Sequence, residues 1–578
     1  MKGGFNITTN ENYFNLIDEP WIVVRNQDEK IQEVSLKEVL LNSQNYISLE
    51  GESGPQNAAV FRLLLALTNT VISRYQPDGE CDPLKDSDQA YARWAEIWNQ
   101  GKLPAQPFAE YLQKYYDRFW LFSDERPFMQ TRTAEKGTFY KSGKLVGTLA
   151  ESSNKLRLFQ MRNGVDKDEL NPSESARWLI NLNGFDDTSA KASAWYRNNV
   201  SDKKSMGAGW LGKLGLIFAE GENLFQTLML NTILVAPDGN LYKEDLPFWE
   251  IDHPDLSERR EIKLPDNLAA LYTLPSRRIY LDRNQKGKVT GYYVFGGDFF
   301  PKENAFIEPF TLWRKTRAAK GQPENQVPAR HTPGRQFWRD FGNIVTLDDK
   351  DRPRQPGIIR WIEDLEEEDL LPEDYPITFV APTVYYGDKD FFVQDLSSQN
   401  FTMYASLLKN TGLDWRNQIE EQIKKIDKLA FFSGLLAKEI AQAGGKSGDS
   451  LSRDLNDGEA VAYRMADKPF RQWISSLNPS GNPSVPGAQE LYDAEEAWNK
   501  QARRIAGEIK NRILKESGAS QNLNALLGRK VEADKSSKSK DGKELTYYSS
   551  IPEAIMRFSK RVNDLYPKQE EQTEEHDG

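Results

Sequence analysis

The chain has 578 residues and a net charge of −11, and 38% of it is apolar, with 28 Phe, 23 Tyr and 14 Trp. That length calls for about two to four domains and the composition excludes a disordered chain, while the acidic balance argues against a free-standing, non-specific nucleic-acid binder. One cysteine, Cys81, excludes an intramolecular disulfide framework and a cysteine-cluster zinc site.

The start, MKGGFNITTNENYF, has no apolar core of signal-peptide length, and no window approaches the roughly 18 apolar residues of a membrane span, so a soluble cytoplasmic protein is expected. NYFNLIDEPWIVVR reads as an opening strand from Phe14 to Val24, interrupted at Asp18-Glu19-Pro20, where proline suggests an edge or a bulge. Val60, Leu63, Leu64, Leu67 and Val71 then fall at helical spacing, and further helices are expected around QAYARWAEIW and FAEYLQKYYDRFWLF. From about residue 120 to 400 short alternating runs such as SRRIYLD, KVTGYYVF and ITFVAPTVYY sit among Gly and Pro. The expected fold class is α+β: an irregular body with long loops over residues 1–400, followed by a helical bundle over 401–566. Four amphipathic stretches make up that bundle, marked by Ile419 to Ile440, Tyr463 to Ile474, Leu491 to Ile513 and Ile551 to Val562. The acidic tail 567–578 is expected to be disordered.

Charge is unevenly placed. Leu312 to Asp340 holds Arg314, Lys315, Arg317, Lys320, Arg330, Arg335 and Arg339 against Glu324 and Asp340, whereas Trp361 to Asp374 holds acids and no base. A basic loop beside an acidic run is ordinarily two solvated faces, but the contrast keeps phosphate contact in view.

Enzyme signatures are thin. His253, His331 and His576 form no i, i+4 metal pair. AGGKSG resembles the end of a phosphate loop, but Ile440 stands where its first glycine is required. FGGDFF is the better candidate, because a Gly-Gly-Asp turn between strands serves metal-dependent nucleotide cyclases and transferases. Such a site needs a second carboxylate beside Asp298, and Asp282 is the nearest earlier one. A structural turn is the plainer reading. VYYGDKDFFV reads as a β-hairpin whose tip holds Lys389 between Asp388 and Asp390.

Four stretches in order, FNLIDEPWIVV, RPFMQT, LFQMRNGVDKDELNPSESARWLINLNGFD and GAGWLGKLGLIFAEGENLFQTLMLN, resemble the CasA family, large subunits of the type I-E CRISPR surveillance complex. The resemblance implies a non-catalytic subunit without cofactor; some members carry a cysteine cluster in the body, but with Cys81 alone no structural zinc is expected here. Its implied partners are crRNA, the other Cascade subunits, double-stranded target DNA at the protospacer-adjacent motif and a recruited helicase-nuclease. It implies motif reading from the minor groove, duplex opening and R-loop formation. The implied wedge hairpin is Gly387, Asp388, Lys389 and Asp390, with lysine where the family can place an uncharged amide. The implied glycine loop covers Lys203, Lys204, Ser205, Met206, Gly207 and Gly209. The lysine finger falls on Lys302, with Lys288 as the second choice. A loop of Phe159, Gln160, Met161, Arg162 and Asn163 is implied to contact the guide end and neighbouring subunits. Arg314, Lys315, Arg317, Lys320, Arg330 and Arg335 are the expected phosphate contacts. The rival readings are the nucleotide cyclase or transferase built on FGGDFF and a scaffold that binds only proteins.

Overall fold

The computed structural model describes residues 13–149, 162, 165–189, 207–252, 261–316, 324–345, 355–372, 374–479, 487–518, 523–532 and 546–567. Contacts divide the chain into two compact units. The first takes the chain to Phe337 together with Asn343–Pro372 and Ile377–Asn400; the second gathers Trp338–Gly342, Glu373–Pro376 and the chain from Phe401.

The early strands are β1 (Tyr13–Asn15), β2 (Ile22–Asn26), β3 (Ile31–Val34), β4 (Tyr46–Leu49), β5 (Trp120–Phe122) and β6 (Thr138–Lys141). The later ones are β7 (Phe218–Glu220), β8 (Arg277–Arg283), β9 (Val289–Gly296), β10 (Trp313–Lys315), β11 (Gln326–Pro328), β12 (Pro376–Tyr386) and β13 (Val393–Tyr404). They form small sheets: β1 with β5, β3-β2-β4, β6-β9-β8, β13-β12-β7 and β10 with β11. The expected opening strand is in fact two. Phe14 is left-handed at φ 63°, the chain turns through Asp18–Pro20, and β1 and β2 join different sheets. FAEYLQKYYDRFWLF likewise splits, because its helix stops at Lys114 and Trp120–Phe122 is drawn out as β5 against β1.

The helix Gly54–Arg74 is the centre of this unit. Ser53 caps it by accepting from the Gln56 N–H, Pro55 lies in its first turn, and Val60, Leu63, Leu64, Leu67 and Val71 are buried as their spacing predicts. It is buried on its polar side too. Arg62 forks onto Glu308 at 2.7 and 3.0 Å, and Trp210 Nε1 donates to the same carboxylate at 2.7 Å. A buried charge pair of this kind demands that both partners be fully bonded.

The second unit holds the helices Leu413–Ala443, Ser450–Ile474, Gly487–Glu516 and Ile551–Leu565, with a two-stranded ribbon of Arg529–Glu532 and Thr546–Ser549. Ile419, Ile423, Ile426, Leu429, Phe470, Trp498, Ile505, Ile509 and Phe558 form its core. The basic segment before residue 341 contributes here. Trp338 packs its ring 4.6 Å from Phe470 and donates to Asp467, and Arg339 lies 3.6 Å over Tyr463. No helix among the described residues is long and apolar enough to cross a membrane.

In the first unit, burial pushes the Asp245 carboxyl up to about 6 from an ordinary 3.8, although the Ala269 N–H and Arg74 pull the other way. A raised carboxyl favours the folded state fully below its unfolded value and loses that contribution as pH rises through about 6. Asp245→Asn keeps an oxygen for Ala269. Its stability relative to the parent should therefore improve by on the order of 3 kcal/mol between pH 4 and pH 7.5 in denaturant titrations. A constant offset across that range would contradict the assignment.

Candidate nucleic-acid interface

The support begins at the helix Pro172–Phe185. Asn171 caps it by accepting from the Glu174 N–H, and Trp178, Leu179 and Leu182 bury its apolar side. Past Phe185 the chain extends through Asp186, Asp187 and Thr188, and both carboxylates are buried. Buried carboxylates need cations. Arg277 Nε donates to Asp186 at 2.6 Å, with side chains only 3% and 1% exposed, and Lys144 Nζ donates to Asp187. Arg277 also donates through Nη2 to the Gly207 carbonyl at 2.9 Å, while the Gly209 N–H donates to the Asp186 carbonyl at 2.9 Å. The end of the glycine loop is thus pinned to this short segment.

The same segment carries the hairpin. Tyr386, the last residue of β12, donates its hydroxyl to the Phe185 carbonyl at 2.6 Å, and burial pushes that phenol well above its usual range, so it stays a donor. Gly212 leaves the room: a Cβ there would lie 2.2 Å from the Tyr386 hydroxyl oxygen. At the hairpin neck a Cβ on Gly387 would lie 2.0 Å from the Phe392 ring, and its N–H donates to the Phe392 carbonyl. The tip then turns through Lys389 at φ 51° and Asp390 at φ 60°, the signs of a type I′ turn, with the Phe391 N–H donating to Asp388.

Left-handed non-glycine residues cost on the order of 1–3 kcal/mol each and persist only where their surroundings enforce them. Thr188 supplies that: its N–H donates to the Asp390 carbonyl and its hydroxyl to the Lys389 carbonyl, each at 2.8 Å. Arg330 forks onto the Asp390 carboxylate at 2.7 and 2.9 Å and lies 5.1 Å over the Tyr386 ring. Asp388 and Lys389 are exposed, and the Lys389 ammonium has no ion pair among the described residues. The hairpin expected from sequence is present, but its two aspartates are unequal. Asp390 is neutralised by Arg330, and only Asp388 faces the lysine uncompensated.

Of the other expected residues, Lys302 is exposed. Phe300 before it packs 4.4 Å from Trp210, and Asn304 after it donates to the Gln326 carbonyl of β11. Lys288 is not brought in. It sits at the turn joining β8 to β9, about 20 Å of strand rise from Arg277. Arg314 and Lys315 are exposed on β10, the latter paired with Glu324, and the Arg335 carbonyl accepts from Gln399. Arg162 is held between Glu52 and Glu174. Phe159, Gln160, Met161 and Asn163, Lys203 to Met206, Arg317 and Lys320 lie outside the described residues, as do His253, His576 and the tail 568–578.

The metal-dependent rival fares poorly. Asp298 is bound by Arg278 at 2.7 Å, and Asp282 lies four residues further along β8, about 13 Å of rise away, accepting from Thr290. His331 is a core histidine against the Leu216 carbonyl. Residues that sequence reasoning did not single out are Thr188, Arg277, Lys144 and Tyr386. Their signal was faint: NGFDDTS puts two acids where a helix enters buried surroundings, which asks for two cations somewhere in the chain.

Comparison with known proteins places the chain in a family. Residues 15–509 match the model of CRISPR-associated protein Cse1. A CasA/Cse1 protein of Thermus thermophilus is 30% identical over 439 residues, 74% of this chain and 78% of that one. The crystal structure of Thermobifida fusca Cse1 superposes with a TM-score of 0.79 at 26% identity, covering 96% of this chain and 98% of that one. A chain of a CRISPR RNA-guided surveillance complex shares the fold with a TM-score of 0.59 at 18% identity, over 87% of this chain and 99% of its own. The chain belongs to the CRISPR-associated Cse1 (CasA) family.

Proposed function

We propose that this chain is the motif-reading large subunit of a crRNA-guided type I-E surveillance complex, working with crRNA and the other Cascade subunits and without a catalytic centre of its own. It inspects the duplex beside the target from the minor groove, promotes strand opening and R-loop formation, and recruits a helicase-nuclease. One observation carries the reading: the end of the glycine loop and the tip of the hairpin hang on the same short segment, Phe185–Thr188, whose first three residues are buried.

The chemistry suits the task. Parting the first base step costs a few kcal/mol of stacking, and exchange into an RNA–DNA hybrid is close to balanced, so a small bias at that step decides the outcome. An exposed ammonium at Lys389, on a tip that cannot fold away, offers its charge to base-edge acceptors or to phosphate. The minor groove presents mainly an A·T-versus-G·C code, so a reader there tolerates several motifs. Arg314 would position the duplex without specifying it, with Lys302 as the finger that reaches the groove. The acidic whole, at −11, keeps the isolated chain from clinging to arbitrary DNA.

The test reconstitutes the guide complex with and without the chain and measures target binding at fixed salt while only the flanking bases vary. Binding should depend on the flank only when the chain is present, and Lys389→Ala should weaken it by about 1 kcal/mol. That loss should disappear on a target whose first base step is already unpaired. A loss equal on both targets would make Lys389 a simple contact, and binding indifferent to flank and chain alike would favour a scaffold that touches only proteins.

A further inference from the structure

The run Leu312–Asp340 makes Arg330 look like one more phosphate contact, yet its guanidinium is already committed. Both terminal nitrogens are spent on Asp390, one oxygen each, and the pair is partly buried, with side chains 35% and 28% exposed. The guanidinium also lies over Tyr386, the residue that ties the hairpin to Phe185. Asp390 is itself one of the two left-handed residues of the tip, and Lys389 is the other. Aspartate visits that region readily, but lysine gains nothing from it and needs its neighbours to hold it there. Thr188 grips both carbonyls from one side, and Arg330 grips the Asp390 side chain.

We propose that Arg330 and Asp390 are positioning residues for Lys389: their forked ion pair, with the Thr188 hydrogen bonds, fixes the left-handed tip in which Lys389 is presented to the first base step, and Arg330 makes no phosphate contact. The proposal rests on the motif-reading function above. The pair also tunes charge, because neutralising Asp390 leaves Lys389 opposed by Asp388 alone. The fork matters as much as the charge. An ammonium cannot make two parallel bonds to one carboxylate, so lysine is a poor substitute for Arg330.

The variants Arg330→Ala, Arg330→Lys, Asp390→Asn and the double variant Arg330→Ala with Asp390→Asn separate the possibilities. Asparagine tolerates the left-handed region, so Asp390→Asn removes charge without adding backbone strain. Two readouts are taken on the full chain: the rate of trypsin cleavage after Lys389, and the ratio of binding to preferred over poor flanks in the reconstituted complex across a salt series. Each Arg330 variant should speed cleavage, and every single variant should cut the flank ratio by about fivefold, as loss of a partly buried forked pair does. The double variant should be no worse than either single one, since both remove the same interaction. The slope of binding against salt should stay at the parent value.

Several results would overturn the proposal. Arg330→Ala could weaken binding to all flanks equally and reduce the salt slope by about one, with Asp390→Asn strengthening binding; that is a phosphate contact. Arg330→Lys could match the parent in the flank ratio, which would leave charge alone as the cause. Cleavage could rise with the flank ratio unmoved, which would make the pair merely structural. A parent complex indifferent to flank would overturn the motif-reading function and the positioning role together, whereas a discriminating parent with equally discriminating variants would overturn only the latter.

Discussion

Two buried carboxylates, Asp186 and Asp187, set the terms for the surface above them. A carboxylate that stays ionised in a protein interior needs a partner, and here each has its own cation, Arg277 from β8 and Lys144 from a segment of chain some forty residues earlier. Breaking such a pair from one side costs roughly 3–5 kcal/mol, because the remaining charge is stranded. The segment Phe185–Thr188 therefore has one place to be. Everything that hangs on its backbone inherits that rigidity: Gly209 through the Asp186 carbonyl, Tyr386 through the Phe185 carbonyl, and the hairpin tip through Thr188.

On the proposed reading, this arrangement reconciles an acidic chain with DNA recognition. Recognition does not require a basic molecule, only a cation placed where charge will be met. The hairpin places Lys389 at a tip whose backbone is held against its own preference, and the neighbouring acid is satisfied internally by Arg330. Preorganisation of this kind lowers the ordering cost at the moment of binding. Charge that would otherwise act at long range is consumed in short ion pairs: Arg330 with Asp390, Lys315 with Glu324, Arg162 with Glu52 and Glu174.

Local pattern was legible wherever one element decides its own state. The helix Gly54–Arg74, the four long helices of the second unit and the aromatic arms of the β12–β13 hairpin all carry their period in the sequence. Pairings across long stretches of chain were not. Thr188 and Lys389 are 201 residues apart, and Arg330 and Asp390 are 60 apart; no periodicity connects them. Trp338 sits in a run whose basic charge suggests a loop of the body, yet its ring belongs with Phe470 in the second unit. The split of Phe14–Val24 into β1 and β2 was hidden for a related reason. Apolar alternation says that residues face a core, but not which sheet takes them. The order of the site's parts came from the family resemblance, and their mutual support came only from the structure.

If the shared support is what makes these parts one site, a change in that support must be felt at the glycine loop and the hairpin together. Asp187→Asn keeps the side-chain size but strands Lys144, and hydrogen–deuterium exchange over Gly207–Leu214 and the hairpin tip reads the result in the full chain. The account predicts faster exchange there, with the Gly209 amide losing protection together with the amides of the hairpin tip. Unchanged exchange over Gly207–Leu214 beside a loosened hairpin would contradict it, leaving two independent loops that happen to be neighbours.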